Sequence, residues 1–339
     1  MAPTISTETL AASWQRNGTI DLIKKELPPI GKGQVLVKVA ASGLCGTDLH
    51  ICRGETPHAA EKVIIGHELS GYVHAIGSET VTSLKVGDLV AVDPNIHCHA
   101  CSYCRNAKPH LCQAPQAIGV TTDGGMSQFV NVPVGAAYKV PEGVSAEVAS
   151  LAEPLSCVVH AVDMGNITSG SRVIVLGAGP IGTMTVALAV SSGARVTVVD
   201  PHESRRKVAK ETFGAAETLT LTEAKDIKES FDVVFECVGR PEAMEQAVDM
   251  AKAGGTIVWV GVAKIEDRVS ISPFEVYRRE LTIRSSYTNH FSMDRALNLL
   301  ATDRIDWSKL ISHTYSLEQF ETAWEVFQSK VGIKICVKP

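Results

Sequence analysis

The stretch VIVLGAGPIG (Val173–Gly182) decides the fold. A β-branched run meets three glycines in the pattern G-x-G-x-x-G, at Gly177, Gly179 and Gly182, and the residues that follow have helical spacing. Strand, tight turn and helix follow one another. Gly177 permits the turn, Gly179 lets the backbone come close to a pyrophosphate, and Gly182 lets helix and strand pack tightly. Pro180 and Ile181 open the helix, whose unpaired N–H groups and dipole favour phosphate. A second strand, RVTVVD, ends in Asp200, 23 residues after Gly177. An acidic side chain there can accept hydrogen bonds from ribose hydroxyls and repels a 2′-phosphate, which favours NAD over NADP. Arg205 and Arg206 stand on the other side, since arginine can serve a 2′-phosphate or form a solvated helix face.

Working outward, strands and helices alternate from Ser171 to about residue 262. RVIVLG (Arg172–Gly177), RVTVVD (Arg195–Asp200), DVVFECVG (Asp232–Gly239) and TIVWVGV (Thr256–Val262) read as buried strands. A charged helix begins near Glu203, and EAMEQAVDMAKAGG (Glu242–Gly255) reads as a helix with a Gly-Gly stop. This alternation predicts a parallel sheet covered on both faces. Residues before about 150 are different: QVLVKVAASG (Gln34–Gly43), LSGYVHAIG (Leu69–Gly77) and VGDLVAVDP (Val86–Pro94) are short runs closed by turn residues, as in an irregular barrel. Ser145–Met164, Met293–Asp306 and Leu317–Ser329 have helical spacing, and GIKICVKP ends the chain as a strand. The fold class is α/β, and 339 residues exceed what one core sustains.

The net charge of −5, with no basic stripe beyond Arg205-Arg206-Lys207, argues against nucleic acid as the main partner. Val173 to Ala194 is uncharged for 22 residues, but the three glycines and Pro180 in its first half favour strand, turn and helix over a membrane span. MAPTISTETLAASW lacks the basic and apolar regions of a secretory signal. A cytoplasmic protein is expected, and in a reducing compartment clustered cysteines are more often metal ligands or catalytic groups than disulfides.

Two constellations carry chemistry. HCHACSYCRNAKPHLC (His97–Cys112) holds Cys98, Cys101, Cys104 and Cys112 in the spacing C-x2-C-x2-C-x7-C. Four thiolates can enclose one zinc ion tetrahedrally, with no open position, so the reading is structural; a C-x-x-C redox pair is the alternative. The second is scattered: Cys45, Thr47, Asp48 and His50 in GLCGTDLH, His67 and Glu68 in GHELSG, and Glu153 in LAEPLS. Singly, such residues are core or surface positions. Together they offer a thiolate, an imidazole and carboxylates, a donor set for a catalytic zinc.

With these motifs in order, the sequence resembles the zinc-dependent medium-chain dehydrogenase/reductase family, most closely its sorbitol (polyol) dehydrogenase branch. CGTDLH, GHE, the four-cysteine lobe, AEPLS, GAGPIG and the strand-ending Asp200 carry the resemblance. It implies a β-rich GroES-like catalytic domain over residues 1–156, with a zinc lobe at about 94–114. A Rossmann coenzyme domain is implied over 157–290, and a C-terminal segment, 291–339, that returns to the catalytic part. It implies Cys45, His67, Glu68 and Glu153 around the catalytic zinc, Thr47 and His50 as a proton relay, and Asp48 beside the zinc site. Gly177, Gly179, Pro180, Ile181, Gly182, Asp200 and Arg205 are expected to hold the cofactor. There are departures from the polyol branch. Ile51 stands where sorbitol dehydrogenases carry an aromatic pocket residue, and Thr288-Asn289 stand in place of an Arg-Tyr pair that reads substrate hydroxyls.

The expectation is an NAD-dependent enzyme with two zinc ions per chain that interconverts a secondary alcohol, a polyol first, with its ketone or ketose. The active site is expected in the cleft between domains. A homotetramer or dimer, a small-molecule substrate, no membrane and no nucleic acid complete it. CGTDLHI is also similar to threonine dehydrogenases, which are the alternative enzyme. A zinc- and NAD-binding sensor without turnover, and a zinc-ribbon interaction module, are the rivals from other classes.

Overall fold

The computed structural model describes residues 8–15 and 18–339. Residues 1–7, which carry half of the segment read above for a secretory signal, lie outside the described residues. The chain forms two compact units. One comprises 1–153, 293–302 and 311–339, and the other 154–292 and 303–310. The C-terminal segment is thus divided, since residues 303–310 pack with the second unit.

The first unit is built on a seven-stranded sheet. Its path runs Ile311–Ser316, Lys334–Lys338, Gln34–Gly43, Glu68–Ile76, Leu89–Val92 and Ala137–Lys139, and Phe129–Pro133 also pairs with Gln34–Gly43. The pairing of Lys334–Lys338 with Ile311–Ser316 is parallel and the other pairings are antiparallel. Alternation along Gln34–Gly43 buries Val35, Val37 and Val39 against Leu69, Val73 and Val90 in one core. A second core gathers Leu44, Ile51, Ile65, Phe320 and Ile335.

Register places the chemistry. Gly43 sits opposite Glu68 in the antiparallel pair, and Cys336 lies opposite Gly43 on the other side. The chain leaving Gly43 reaches Cys45 two residues later, while the chain entering the neighbouring strand passes His67 just before Glu68. Two segments far apart in sequence therefore meet at one end of the sheet.

The second unit is a six-stranded parallel sheet in the order Glu217–Leu219, Arg195–Val199, Arg172–Leu176, Phe231–Glu236, Ala251–Trp259, Thr282–Ser285. Counted along the chain this is 3-2-1-4-5-6, the doubly wound arrangement. The strand order reverses beside Arg172–Leu176, and the glycine turn follows that strand. The core sets Ile174, Val234 and Ile257 against Ala247, Val248 and Met250 of the helix Pro241–Met250.

Several elements depart from the sequence reading, among them Met293–Asp306, which is α-helix only over Met293–Leu300. Ser145–Met164 is two helices, Ala146–Ala149 and Ala152–Gly165. Pro154 supplies the reason, because its ring bars the carbonyl four residues earlier, at Ser150, from continuing a helix. The expected helix through Gly255 stops at Met250, and Ala251–Trp259 is strand. Ala251 already pairs with Phe231, and a register shift in this pairing, with Gly254 at φ 74°, accommodates AKAGG. The uncharged run Val173–Ala194 resolves into a strand, a turn and the 12-residue helix Pro180–Ser191. No helix among the described residues is long and apolar enough to cross a membrane.

Candidate active site

The helix Gly46–Cys52 starts from Cys45, whose N–H donates to Asp48 Oδ2 at 2.9 Å. That bond locks the start of the helix and leaves Asp48 fully buried. Its other oxygen, Oδ1, lies 3.6 Å from His67 Nδ1, too long for a hydrogen bond. Both atoms are buried without a partner. Cys45 Sγ, one His67 ring nitrogen and one Glu68 carboxylate oxygen all lie within 4.8 Å of one another. Burial works against a charged His67, yet the Cys45 thiolate and then the Asp48 carboxylate override it and hold the ring well above its ordinary pKa. Negative groups that favour a proton here favour a divalent cation in its place. The donors and the orphaned buried atoms fit a zinc ion.

Glu153 is buried, with 9 % of its surface exposed, and lies outside that three-residue group. Its negative charge is nonetheless felt at Lys334. Lys334 is the residue that sequence reading missed. It is 3 % exposed, donates to Glu68 Oε2 and donates to Leu44 O at 3.1 Å. Burial disfavours its charge, but Glu68 and then Cys45 hold its pKa above the usual value. The pair needs Gly43, where a Cβ would come within 2.3 Å of Glu68 Oε2. In GIKICVKP nothing marks this lysine as buried, because a lysine on a strand reads as solvent-facing.

Thr47 is half-buried, with Oγ1 3.7 Å from Cys45 Sγ. His50, on the same helix, is half-exposed, and its Nδ1 is 2.6 Å from Glu55 Oε2. Ile51 is fully buried in the core of the first unit, so its side chain lines no open pocket there.

The four cysteines of the lobe come together, their sulfurs all within 4.8 Å. Cys98 Sγ and Cys104 Sγ are 4.0 Å apart, near the separation of about 3.8 Å that tetrahedral Zn–S bonds of about 2.3 Å require. The Cys101 N–H points at Cys98 Sγ (3.3 Å) and the Cys98 N–H at Cys112 Sγ (3.4 Å). Backbone N–H groups of Cys104 and Gln113 bring the Cys101 thiol down to about 6. Such N–H···S contacts suit thiolate ligands. His97 and His99 are not in the group.

In the second unit, Gly177 takes φ 95°, a conformation open mainly to glycine. A Cβ on Gly182 would lie 1.8 Å from Gly177 O, whereas one on Gly179 would meet nothing within 4 Å. The first closeness welds helix to turn, and the second leaves room for a ligand at the helix N-terminus, where Pro180 and Ile181 follow. Asp200 is 4 % exposed. Its Oδ2 accepts from Ala178 N, and its Oδ1 accepts from His202 N and bonds His202 Nδ1. Three of roughly four acceptor positions are therefore used within the protein, so Asp200 pins the glycine turn and keeps capacity for one further donor. Arg206 closes its own turn: its Nη1 donates to Asp200 O and Pro201 O. Arg205 lies one residue earlier on the helix Glu203–Glu211.

Two further features escaped the sequence reading. Glu236, fully buried at a strand end, accepts from Val238 N and Gly239 N through Oε1, and burial pushes its carboxyl pKa up. His160 Nδ1 bonds Thr288 O at 2.9 Å. Thr288 has φ 51°, unusual for a β-branched residue, and its Oγ1 is buried without a partner, while Asn289 is 4 % exposed.

Comparison with known proteins agrees with this geometry. Residues 31–142 match the alcohol dehydrogenase GroES-like domain and residues 180–302 the zinc-binding dehydrogenase domain. The chain is similar to D-altritol 5-dehydrogenase of Agrobacterium fabrum, at 36 % identity over 87 % of this chain and 88 % of the relative. It is similar to L-threonine 3-dehydrogenase of Bacillus subtilis, at 32 % identity over 97 % and 99 %. Among solved structures, a zinc-binding dehydrogenase from Sinorhizobium meliloti 1021 bound to NADP aligns with TM-score 0.93 and 35 % identity, covering 98 % of this chain and 100 % of that one. RspB from Escherichia coli CFT073, complexed with NADH, aligns with TM-score 0.90 and 30 % identity over the same shares. The chain belongs to the zinc-containing medium-chain alcohol dehydrogenase family, with a GroES-like domain and a Rossmann-type coenzyme domain.

Proposed function

We propose that this protein oxidises a secondary alcohol, a polyol first, to its ketone or ketose with NAD as hydride acceptor. The observation that carries this is the convergence of Cys45, His67 and Glu68 at one sheet end, with Thr47 and His50 on the helix that starts from Cys45. Cys45, His67 and Glu68, with Glu153 nearby, would hold a zinc ion that would supply a Lewis acid for the substrate oxygen, and bound NAD would supply the hydride acceptor. The residues do the rest. Thr47 accepts the hydroxyl proton as it gives up its own, and His50, half-exposed, passes the released proton to water. Gly177, Gly179 and Gly182 with the Pro180–Ile181 helix start cradle the pyrophosphate. Asp200 spends its remaining acceptor position on the ribose, and Arg205 stands on the helix beside it.

The altritol relative supports a polyol. The threonine dehydrogenase relative supports a second reading, a 2-amino-3-hydroxy acid as substrate. The NADP-bound neighbour stands against a strict NAD preference, whereas the NADH-bound one and the buried Asp200 carboxylate support it. Absorbance of reduced nicotinamide across sorbitol, xylitol, D-arabinitol and L-threonine, each with NAD and NADP, tests all of these. Turnover of polyols with NAD is expected. Turnover of L-threonine alone selects the second reading, a preference for NADP removes the role given to Asp200, and no turnover at all leaves a binding protein.

A homo-oligomer is part of the same reading. The strand Thr282–Ser285 is an edge of its sheet, and Phe274 and Tyr277 are 64 % and 80 % exposed. Unpaired edges and exposed aromatics invite another subunit, and light scattering is expected to give a mass above 36.2 kDa.

A further inference from the structure

The helix that carries His50 ends in a turn written HICRGE, residues 50–55. Arg53 caps it, and Gly54 follows at φ 70°. This left-handed residue reverses the chain, so that Gly54 N donates to Ile51 O at 2.9 Å and Glu55 N to His50 O at 2.8 Å. Helices commonly close this way, with glycine just past the end. Here the closure has a chemical consequence. Tying the main chain of residue 55 to that of residue 50 brings the two side chains together, and Glu55 Oε2 lies 2.6 Å from His50 Nδ1. Some ion pairs of this protein, such as Lys32 with Glu79, join the ends of flexible, exposed side chains, and pairs of that kind contribute little. His50 and Glu55 are instead held by a backbone bond, and their side chains are only 35 % and 33 % exposed.

We propose that Glu55 is a positioning residue for the proton relay: its carboxylate accepts the Nδ1–H of His50, fixes that tautomer, and leaves the Nε2 lone pair as the proton acceptor. This rests on the reading of His50 as a relay given above. A neutral imidazole has one donor and one acceptor nitrogen, and the partner of one decides the role of the other. During oxidation the proton lost by the substrate hydroxyl passes through Thr47 to Nε2. The imidazolium then has N–H groups at both nitrogens, and the Glu55 carboxylate faces the new charge. Nε2 releases its proton to water, and Glu55 neither gains nor loses one. In the absence of Glu55, His50 reverts to the Nε2–H form that imidazole side chains favour in water, which cannot accept at Nε2.

The test uses the zinc-loaded full chain and four proteins: wild type, His50→Gln, Glu55→Ala and Glu55→Asp. Sorbitol, xylitol and D-arabinitol are the alcohols, and the fastest is carried through. His50→Gln is expected to lower kcat by roughly 10²-fold or more. Glu55→Ala is expected to lower kcat by about 10- to 100-fold, the loss seen when the carboxylate that orients a metal-ligating histidine is removed, with KM near wild type. Glu55→Asp restores part of the rate. The second readout needs no turnover. Nitrogen-15 spectra, with the His50 signals identified by their loss in His50→Gln, are expected to show Nδ1–H in wild type and a shift to Nε2–H in Glu55→Ala. A slow His50→Gln beside a Glu55→Ala with unchanged kcat or tautomer overturns the role of Glu55 and spares the relay. A His50→Gln as fast as wild type overturns the relay and this proposal together.

Discussion

At the scale of single residues, the active site depends on positions that tolerate no change. Gly182 is one. A methyl group there would overlap Gly177 O at 1.8 Å, so helix and turn must separate. Gly182→Ala is expected to cost about 1–3 kcal/mol, the usual penalty for overpacking, and to weaken binding of the dinucleotide more than binding of zinc. Thermal unfolding and a fluorescence titration with NADH check both. Lys334 is another. It shares a buried ion pair with Glu68, next to Cys45. Removing one partner of such a pair leaves an uncompensated charge and costs about 3–5 kcal/mol. Lys334→Met is therefore expected to destabilise the metal-free protein strongly. A zinc ion restores positive charge beside Glu68, so the loss is expected to shrink when metal is bound. Denaturant unfolding with and without chelator measures the difference, and an equal loss in both would remove the electrostatic account.

At the scale of elements, the C-terminal strand Lys334–Lys338 is what completes the sheet beside Gln34–Gly43. It begins at the buried lysine and ends at Lys338, which lies 2.5 Å from Glu147 on the short helix Ala146–Ala149. The hydrogen bond to Lys338 lowers the Glu147 pKa, and the bond to Glu147 raises that of Lys338. The signs set the window. A depressed carboxylate pKa stabilises the fold fully above the unfolded value, about 4.3, and the contribution fades as pH falls through the folded value. A raised lysine pKa stabilises fully below about 10.4 and fades as pH rises through its folded value. Because the side chains are 48 % and 33 % exposed, water screens the pair to less than about 1 kcal/mol. Lys338→Met is expected to lower the unfolding midpoint slightly at pH 7 and to leave it unchanged at pH 3. A larger effect at pH 3 would mean that Lys338 acts through packing and not charge.

At the scale of the whole molecule, two donor sets of different character predict two kinds of zinc site. The lobe cysteines form a closed four-sulfur set, whereas Cys45, His67 and Glu68 form a three-residue set. Metal analysis is expected to find two zinc ions per chain, and mild chelation to remove one of them first together with activity. Cys101→Ser is expected to lose lobe zinc and folding stability, because binding of structural zinc is coupled to folding. Cys45→Ser is expected to stay folded and lose turnover. Full activity with a single zinc would show that one set is misassigned.

The sequence by itself determined whatever depends on neighbours in the chain. The glycine turn, its strand and its helix were legible because VIVLGAGPIG changes period within ten residues. The four cysteines were legible because their spacing is their geometry. Cys45, His67 and Glu68 were legible as residue types, through motifs and resemblance, although no local pattern says that they meet. Tertiary structure decided that, because the register of Gly43 with Glu68 sets two distant segments side by side. It also decided that Lys334 is buried, 266 residues from Glu68, that Asp200 is engaged by Ala178 and His202, and that Arg206 closes its own turn. The end of the helix at Met250 belongs here too, since pairing of Ala251 with Phe231 overrides a continuing helical spacing. Each of these is a contact whose energy comes from burial or a shared proton, and sequence patterns record which side chains are apolar, not which polar groups share the same buried space.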